Sequence, residues 1–290
     1  MVEKTLFIFG LGFAAQAVAR AAMAQGFSVA GTCRSQEKCE VLKAQGIKAF
    51  LFSEITPEII AGYNYILSSI PPQETGDIVL QHLSTDKYFT PHPNPLPKGA
   101  RGFGGWLGYF STTGVYGDYN GEWVDENSAP RPNTERLHRR LRAEAEWQKL
   151  SGHVFRLAGI YGKNRSAVND VLAGTAKRID KPGQVFSRIH VDDIAQTVLA
   201  SMLKPNPGAI YNVCDDEPAP AHEVVGFACE LLSKTPPPLI AFEDAELSPM
   251  GREFYSANRR VGNNKIQNEL GVKLLYPTYR EGLNAISIDI

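Results

Sequence analysis

The sequence is short of several things, and each shortage excludes a class of protein. Its 290 residues carry 30 Lys and Arg against 31 Asp and Glu, a formal net charge of −1. So balanced a chain has no general attraction for nucleic acid or for an anionic membrane. Cysteine is scarce. Cys33, Cys39, Cys214 and Cys229 are the four, too few for a disulfide framework at this length and nowhere spaced as CxxC for structural zinc. Reduced thiols are the expectation. No HxxxH or HExxH pattern and no clustered carboxylates are present, so no catalytic metal is expected. GxSxG is absent, which argues against an esterase. Long apolar runs are missing too. The N-terminal run Thr5–Ala15 stops at Gln16 and Arg20, well short of the roughly 18 apolar residues of a membrane span. With Lys4 before it and Ala22-Met23-Ala24 after it, this stretch has the layout of a secretion signal. Cleavage would remove a strand, glycine loop and helix that the fold requires, so a soluble cytoplasmic protein is expected.

What is present is an ordinary globular composition, 43% hydrophobic and 21% charged, with material for a full core. The length is about twice a typical domain, which suits one large α/β unit with a smaller partner. Apolar strands at Thr5–Phe9, Phe27–Thr32, Ile47–Phe52 and Tyr63–Ile70 alternate with helical stretches, which implies βαβ units and a parallel sheet covered on both faces. Further strands are expected at Trp106–Ser111, Val154–Ala158, Ser187–Val191 and Ala209–Val213. A charged helix is expected over Asn133–Leu150 with Asn133 as its N-cap. Asp192 or Asp193 is expected to cap the helix that follows. Between the two halves, Tyr88–Gly105 is too rich in proline and glycine for a core element and reads as a surface insertion or a lid.

The strongest local signal is Gly10-x-Gly12-x-x-Ala15, which closes a strand and opens a helix, the context a dinucleotide fingerprint demands. Gly10 permits the tight turn, Gly12 lets backbone approach a pyrophosphate, and small Ala15 lets helix pack on strand. Leu11, Phe13 and Ala14 belong to the same turn, where helix N–H groups and dipole favour phosphate. The second strand ends Thr32-Cys33-Arg34-Ser35 with no carboxylate before Glu37. An NAD site ordinarily places Asp or Glu there. Arg34 offers a planar fork to a 2′-phosphate and Ser35 a hydroxyl donor, so NADP is favoured over NAD. The alternative leaves Arg34 a solvated loop residue.

Beyond this loop the chain resembles the extended short-chain dehydrogenases/reductases of the epimerase/dehydratase type. The segments that carry the resemblance are SSIPP (Ser68–Pro72), STTGVYG (Ser111–Gly117), VDENSAP (Val124–Pro130), FRLAGIYG (Phe155–Gly162), RIHVDDIA (Arg188–Ala195) and YNVCDDEP (Tyr211–Pro218). The C-terminal NNKIQNELG and YPTYREG resemble an atypical bacterial subgroup. Tyr88–Gly105 is similar to the peptide encoded by interspersed bacterial repeat elements. The resemblance implies a Rossmann-type doubly wound parallel sheet with a small C-terminal substrate lobe. A dinucleotide-binding domain over 1–160 would be followed by a mixed segment, 161–290, that partly returns to the sheet. It also implies cofactor contacts from Ser68, Ser69 and Ile70.

Members of that superfamily use Ser or Thr with a YxxxK pair. By the same resemblance Thr112 stands for the Ser/Thr, and Arg136 and Arg140 occupy the Tyr and Lys positions. Eleven tyrosines are present and none has Lys four residues on. Arg does not exchange protons near neutrality, so the usual acid–base pair is absent; in one outcome another group supplies the proton, with Tyr116, one turn beyond Thr112, the candidate. The segments the superfamily places around its ligands contain Tyr161, Arg165 and His190, the expected substrate contacts. Arg136 and Arg140, four residues apart on one helix face, would bind an anionic substrate or the cofactor phosphates, or else form part of a solvated surface. Two functions follow. One is an NADP-dependent oxidoreductase acting on a small polar or sugar-like carbonyl or hydroxyl compound, as a monomer or homodimer. The other is a non-catalytic NADP-binding protein that senses redox state.

Overall fold

The computed structural model describes residues 4–83 and 105–288, so the insertion expected at 88–105 lies outside them except for Gly105. The strands are β1 (Thr5–Phe9), β2 (Ser28–Cys33), β3 (Lys48–Leu51), β4 (Tyr65–Ser68), β5 (Trp106–Thr112), β6 (Trp123–Val124) and β7 (His153–Leu157). There follow β8 (Gly159–Tyr161), β9 (Arg178–Asp180), β10 (Arg188–His190), β11 (Ile210–Val213), β12 (Leu239–Ala241) and β13 (Arg260–Val261). Seven of them form one sheet in the order β11-β7-β5-β4-β1-β2-β3. The pairs β1–β2, β1–β4, β2–β3 and β4–β5 are all parallel. β1 is buried along its whole length, as a central parallel strand with helices on both faces must be. The order reverses at β1, which has β2 on one side and β4 on the other. That reversal opens the crevice at the carboxyl ends of the strands where open α/β sheets take ligands.

The described chain divides into two compact units. The first comprises Met1–Thr112, Thr134–Arg156 and Ile194–Tyr211; the second comprises Thr113–Asn133, Leu157–Asp193 and Asn212–Ile290. In the first unit the helices are α1 (Phe13–Ala24), α2 (Gln36–Ala44), α3 (Pro57–Ile60), α4 (Ile78–Leu83) and α5 (Glu135–Lys149). One of its cores gathers Phe7, Phe9, Ile66, Leu107, Tyr109 and Trp147, with the Tyr109 and Trp147 rings stacked at 5.7 Å. Trp147 also donates its indole N–H to Asp77 (2.9 Å), whose other oxygen accepts the N–H groups of Val79 and Leu80 at the start of α4.

The charged helix is α5, capped by Thr134 in place of the expected Asn133. The Thr134 hydroxyl accepts the Leu137 N–H at 3.4 Å. Both residue types cap well, and the start at Glu135 decides between them. The helix after RIHV is α6 (Val191–Leu203), and neither aspartate caps it. The Asp192 N–H goes to Nδ1 of His190 at 3.2 Å. The fully buried Asp193 accepts instead from the Leu275 and Tyr276 N–H groups, at 2.7 and 3.1 Å. In the second unit β8 pairs with β10, β9 with β12 and β6 with β13, each parallel. Its principal core holds Tyr161, Val168, Val224, Ala228, Tyr279 and Leu283.

Candidate functional site

The glycine loop is built by β1 and β2 together. Gly10 takes a left-handed φ of +84°, which glycine alone adopts without strain. Its N–H donates to the Thr32 hydroxyl at 2.8 Å, and the Leu11 N–H donates to the Thr32 carbonyl at 2.8 Å. The Gly10 carbonyl accepts the Ser69 hydroxyl, while the Ser69 N–H donates to the Phe9 carbonyl at 2.9 Å. A Cβ added at Gly10 would lie 2.8 Å from Ile70 Cγ1. One added at Gly12 would meet nothing within 4 Å. Gly12 is also the N-cap of α1 and supplies no side chain there. The helix start therefore faces open space that any β-carbon would occupy, a cradle suited to a phosphate at a helix N-terminus.

Around this loop the expected cofactor residues divide. Leu11, Ala14 and Ser68 are buried, Ser68 wholly; Phe13, Ser69 and Ile70 are half-buried. Arg34 is exposed. Ser35 caps α2, its Oγ accepting the Lys38 N–H at 3.3 Å, which leaves the hydroxyl proton able to donate. Two supporting residues carried no sequence signal. Thr32 holds the loop backbone as described. Gln16 donates to the carbonyls of Leu11 (3.0 Å) and Gly12 (3.3 Å) and accepts from Lys38 Nζ at 3.4 Å. The thiols also differ from expectation. Cys214 and Cys229 are free and buried, whereas Cys33 and Cys39 are joined as a disulfide. A spacing of six matches no motif; the sharp β2–α2 turn brings the two together.

Three of the expected catalytic residues belong to this same unit. Thr112 is half-buried at the end of β5, and Arg136 is exposed near the start of α5. Arg140 lies against β5, donating through Nη1 to the Tyr109 hydroxyl at 3.0 Å and to the Phe110 carbonyl at 2.8 Å. Burial pushes the Tyr109 phenol well above its ordinary value.

The second unit holds the remaining candidates. Tyr116 is fully buried and donates to Asn212 Oδ1 at 2.7 Å. The Asn212 N–H donates to the Glu126 carboxylate at 2.7 Å and its side-chain amide to the Gly262 carbonyl at 3.2 Å. Burial raises the Glu126 carboxyl above the usual range. Tyr161 and His190 face one another in the β8–β10 register, their rings 5.2 Å apart edge to face, and Tyr276 covers the imidazole from 4.1 Å. Burial lowers the His190 pKa against the opposing pull of Asp192. Tyr161 is pushed well up by burial and by Asp215 and Asp193. Arg165 is exposed, in a turn closed by paired backbone bonds with Gly162 at 3.0 Å. Asn212 and Glu126 lay in the quoted segments without a role assigned to them. Their linkage to Tyr116 is visible only in three dimensions. Among the described residues no group of three His, Cys, Asp or Glu gathers to hold a metal, and no helix is long and apolar enough to cross a membrane.

The parallel sheet and the reversal at β1 make a Rossmann-type fold, shared with solved structures of the epimerase/dehydratase kind. The chain belongs to one family with a functionally unknown conserved protein from Silicibacter pomeroyi DSS. The two are 44% identical over 99% of each chain, with a TM-score of 0.87. Protein YeeZ of Escherichia coli K12 is 24% identical over 94% of this chain and 97% of its own. UDP-glucuronic acid 4-epimerase from Bacillus cereus, solved in complex with NAD, shares the fold at 13% identity, with a TM-score of 0.75 over 98% of this chain and 97% of its own. No protein-family model matches the chain.

Proposed function

We propose that the protein is an NADP-dependent oxidoreductase acting on a small polar or sugar-like carbonyl or hydroxyl compound in the cytoplasm, without the usual YxxxK pair. The observation that carries this reading is the open space at Gly12, at the start of a helix with no side-chain cap. The likeness in fold to an epimerase solved with NAD supports it. A bound nicotinamide dinucleotide would supply the electron-pair donor or acceptor. The chain's own residues do the rest. The loop of residues 10–12 shapes the turn, the start of α1 at residues 12–14 takes the pyrophosphate, Ser69 and Ile70 flank the loop, and Arg34 with Ser35 reads the ribose 2′-phosphate. Thr112 hydrogen-bonds the substrate oxygen. Tyr116, the candidate from the sequence, is fully buried with its phenol given to Asn212, so the proton is exchanged by another group. Tyr161, Arg165 and His190 contact the substrate, and Arg136 favours an anionic one.

Fluorescence titration with NADPH and, separately, with NADH tests the cofactor half. Gly12→Val should fold normally, because φ −79° and ψ −170° suit any residue and a cap change of this kind costs about 1 kcal/mol or less. It should nevertheless abolish dinucleotide binding. Arg34→Glu should weaken NADPH on the order of 100-fold through lost charge-assisted hydrogen bonds, with NADH barely affected. Binding of neither dinucleotide by the parent protein, or equal losses for both in the variant, would sink the respective assignment. Turnover tests the catalytic half: Thr112→Ala should lower the rate while cofactor affinity stays nearly intact.

A second reading, a non-catalytic NADP-binding redox sensor, is favoured by one specific observation. Arg140, at the position of the superfamily's lysine, is engaged with Tyr109 and the Phe110 carbonyl. Tight NADPH binding without turnover across a panel of sugar-like carbonyls would support that reading.

A further inference from the structure

Cys33 and Cys39 take no part in the function proposed above, yet they bracket its most specific element. Cys33 ends β2 and Cys39 closes the first turn of α2, with the sulfurs bonded and the Cα atoms 6.0 Å apart. The ring they close contains Arg34, Ser35, Gln36, Glu37 and Lys38. Both ends of the ring reach the glycine loop. Thr32, next to Cys33, binds the Gly10 N–H at 2.8 Å. Lys38, next to Cys39, donates to Gln16 at 3.4 Å, and Gln16 in turn donates to the Leu11 carbonyl at 3.0 Å.

We infer that Cys33 and Cys39 are positioning residues for Arg34, and that their disulfide is a reducible staple setting the preference for a 2′-phosphorylated dinucleotide. The inference rests on the cofactor reading above. A short closed ring removes conformers from an exposed loop. An arginine fork held in place then loses less freedom when it grips a phosphate. A dithiol reductant opens the ring in balanced steps. One thiolate attacks a ring sulfur, the S–S bond breaks as a mixed disulfide forms, and the second thiol displaces the protein sulfur. Two protein thiols and the reductant's own disulfide result, the reductant's two protons passing to the protein sulfurs. Cys33 is 8% and Cys39 1% exposed, so attack requires the first turn of α2 to lift, a turn whose Gln36 and Glu37 already face solvent. The reduced chain stays folded, because β2 keeps its pairing with β1 and β3 and Leu42 still anchors α2 in the core.

The test compares protein purified without reductant, the same protein after dithiothreitol, and Cys39→Ser. Each is titrated with NADPH and NADH, with a thiol count and hydrogen exchange over residues 33–39 recorded in parallel. The unreduced protein should show two reactive thiols on unfolding and four after reduction. Reduction should raise the NADPH Kd about tenfold, within the usual range of coupling effects, leave NADH unchanged and quicken exchange in the ring. Cys39→Ser should behave as the reduced form and ignore dithiothreitol. Four thiols at the outset, or equal NADPH affinity in all three proteins, overturns the inference. If no form binds either dinucleotide, the cofactor reading falls and the phosphate role with it. The exchange data then decide alone whether the ring holds the loop: unchanged exchange overturns the staple, and quickened exchange upholds it.

Discussion

Glu144→Ala is expected to destabilise the protein by about 3–5 kcal/mol, the range for breaking a buried ion pair from one side. Glu144 lies on the inner face of α5. Its carboxylate takes a forked pair of bonds from Arg156, with Nη2 at 2.7 Å and Nε at 3.1 and 3.2 Å, and the Ser111 hydroxyl donates to the same group. The two side chains are 2% and 3% exposed, so water does not replace the lost partner. Truncation leaves a guanidinium buried beside β5 without its counter-charge. The double variant Glu144→Leu with Arg156→Met removes both charges and fills similar volume, and should cost far less than the single change. Urea denaturation with a double-mutant cycle checks this. A loss below about 1 kcal/mol for Glu144→Ala would show the pair to be hydrated in solution, as exposed pairs are.

The same helix shows how far the sequence could be read. Its existence follows from a long charged stretch free of proline and closed by Gly152. Which of two adjacent good cappers starts it does not follow, because that depends on where the preceding loop releases the chain. The β1–loop–α1 unit was legible almost residue by residue, since an apolar run, two glycines and a small alanine each answer a separate steric demand. Strand ends were less so. β4 spans Tyr65–Ser68 inside the longer apolar run, because the ladder partners on β1 and β5 set its limits.

The site was legible where chemistry is local and illegible where it is assembled from distant stretches. Arg34 and Ser35 stand out beside the glycine loop because the expected carboxylate is missing. The Cys33–Cys39 bond does not stand out, since only the sharp β2–α2 turn brings those sulfurs together. Asn212 and Glu126 are 86 residues apart, and no periodicity links them to Tyr116. His190 as the acceptor for the Asp192 N–H was missed because two aspartates beside it are better cappers by type. Burial keeps this imidazole neutral, and a neutral imidazole nitrogen accepts.

The largest pH effect is expected from Asp215, in the second unit. Its carboxyl is almost wholly buried, and burial pushes its pKa up to about 8 against the partial relief of the Arg188 guanidinium. Arg188 itself is engaged with the carbonyls of Phe186 (2.8 Å) and Ala219 (2.9 Å). Asp216 adds a like charge, and Asp215 in turn raises Tyr161. One carboxyl oxygen accepts the Glu217 N–H at 3.4 Å, while the other has no hydrogen-bond partner among the described residues. In the unfolded chain the group titrates near its ordinary value of 3.8. Between about pH 4 and pH 8 the folded protein therefore holds a proton that the unfolded chain has released. Stability must fall as pH rises through that window, with a limiting slope of about 1.4 kcal/mol per pH unit from this one group. Asp215→Asn removes the titration. Its stability should vary less steeply across the window, and the variant should equal or exceed the parent at pH 8. Paired urea titrations at pH 5, 6, 7 and 8 measure the difference, which cancels the buried carboxyls of Asp77 and Glu126 common to both proteins. Parallel stability profiles for the two would mean that Arg188 closes on Asp215 in solution and holds it ionised.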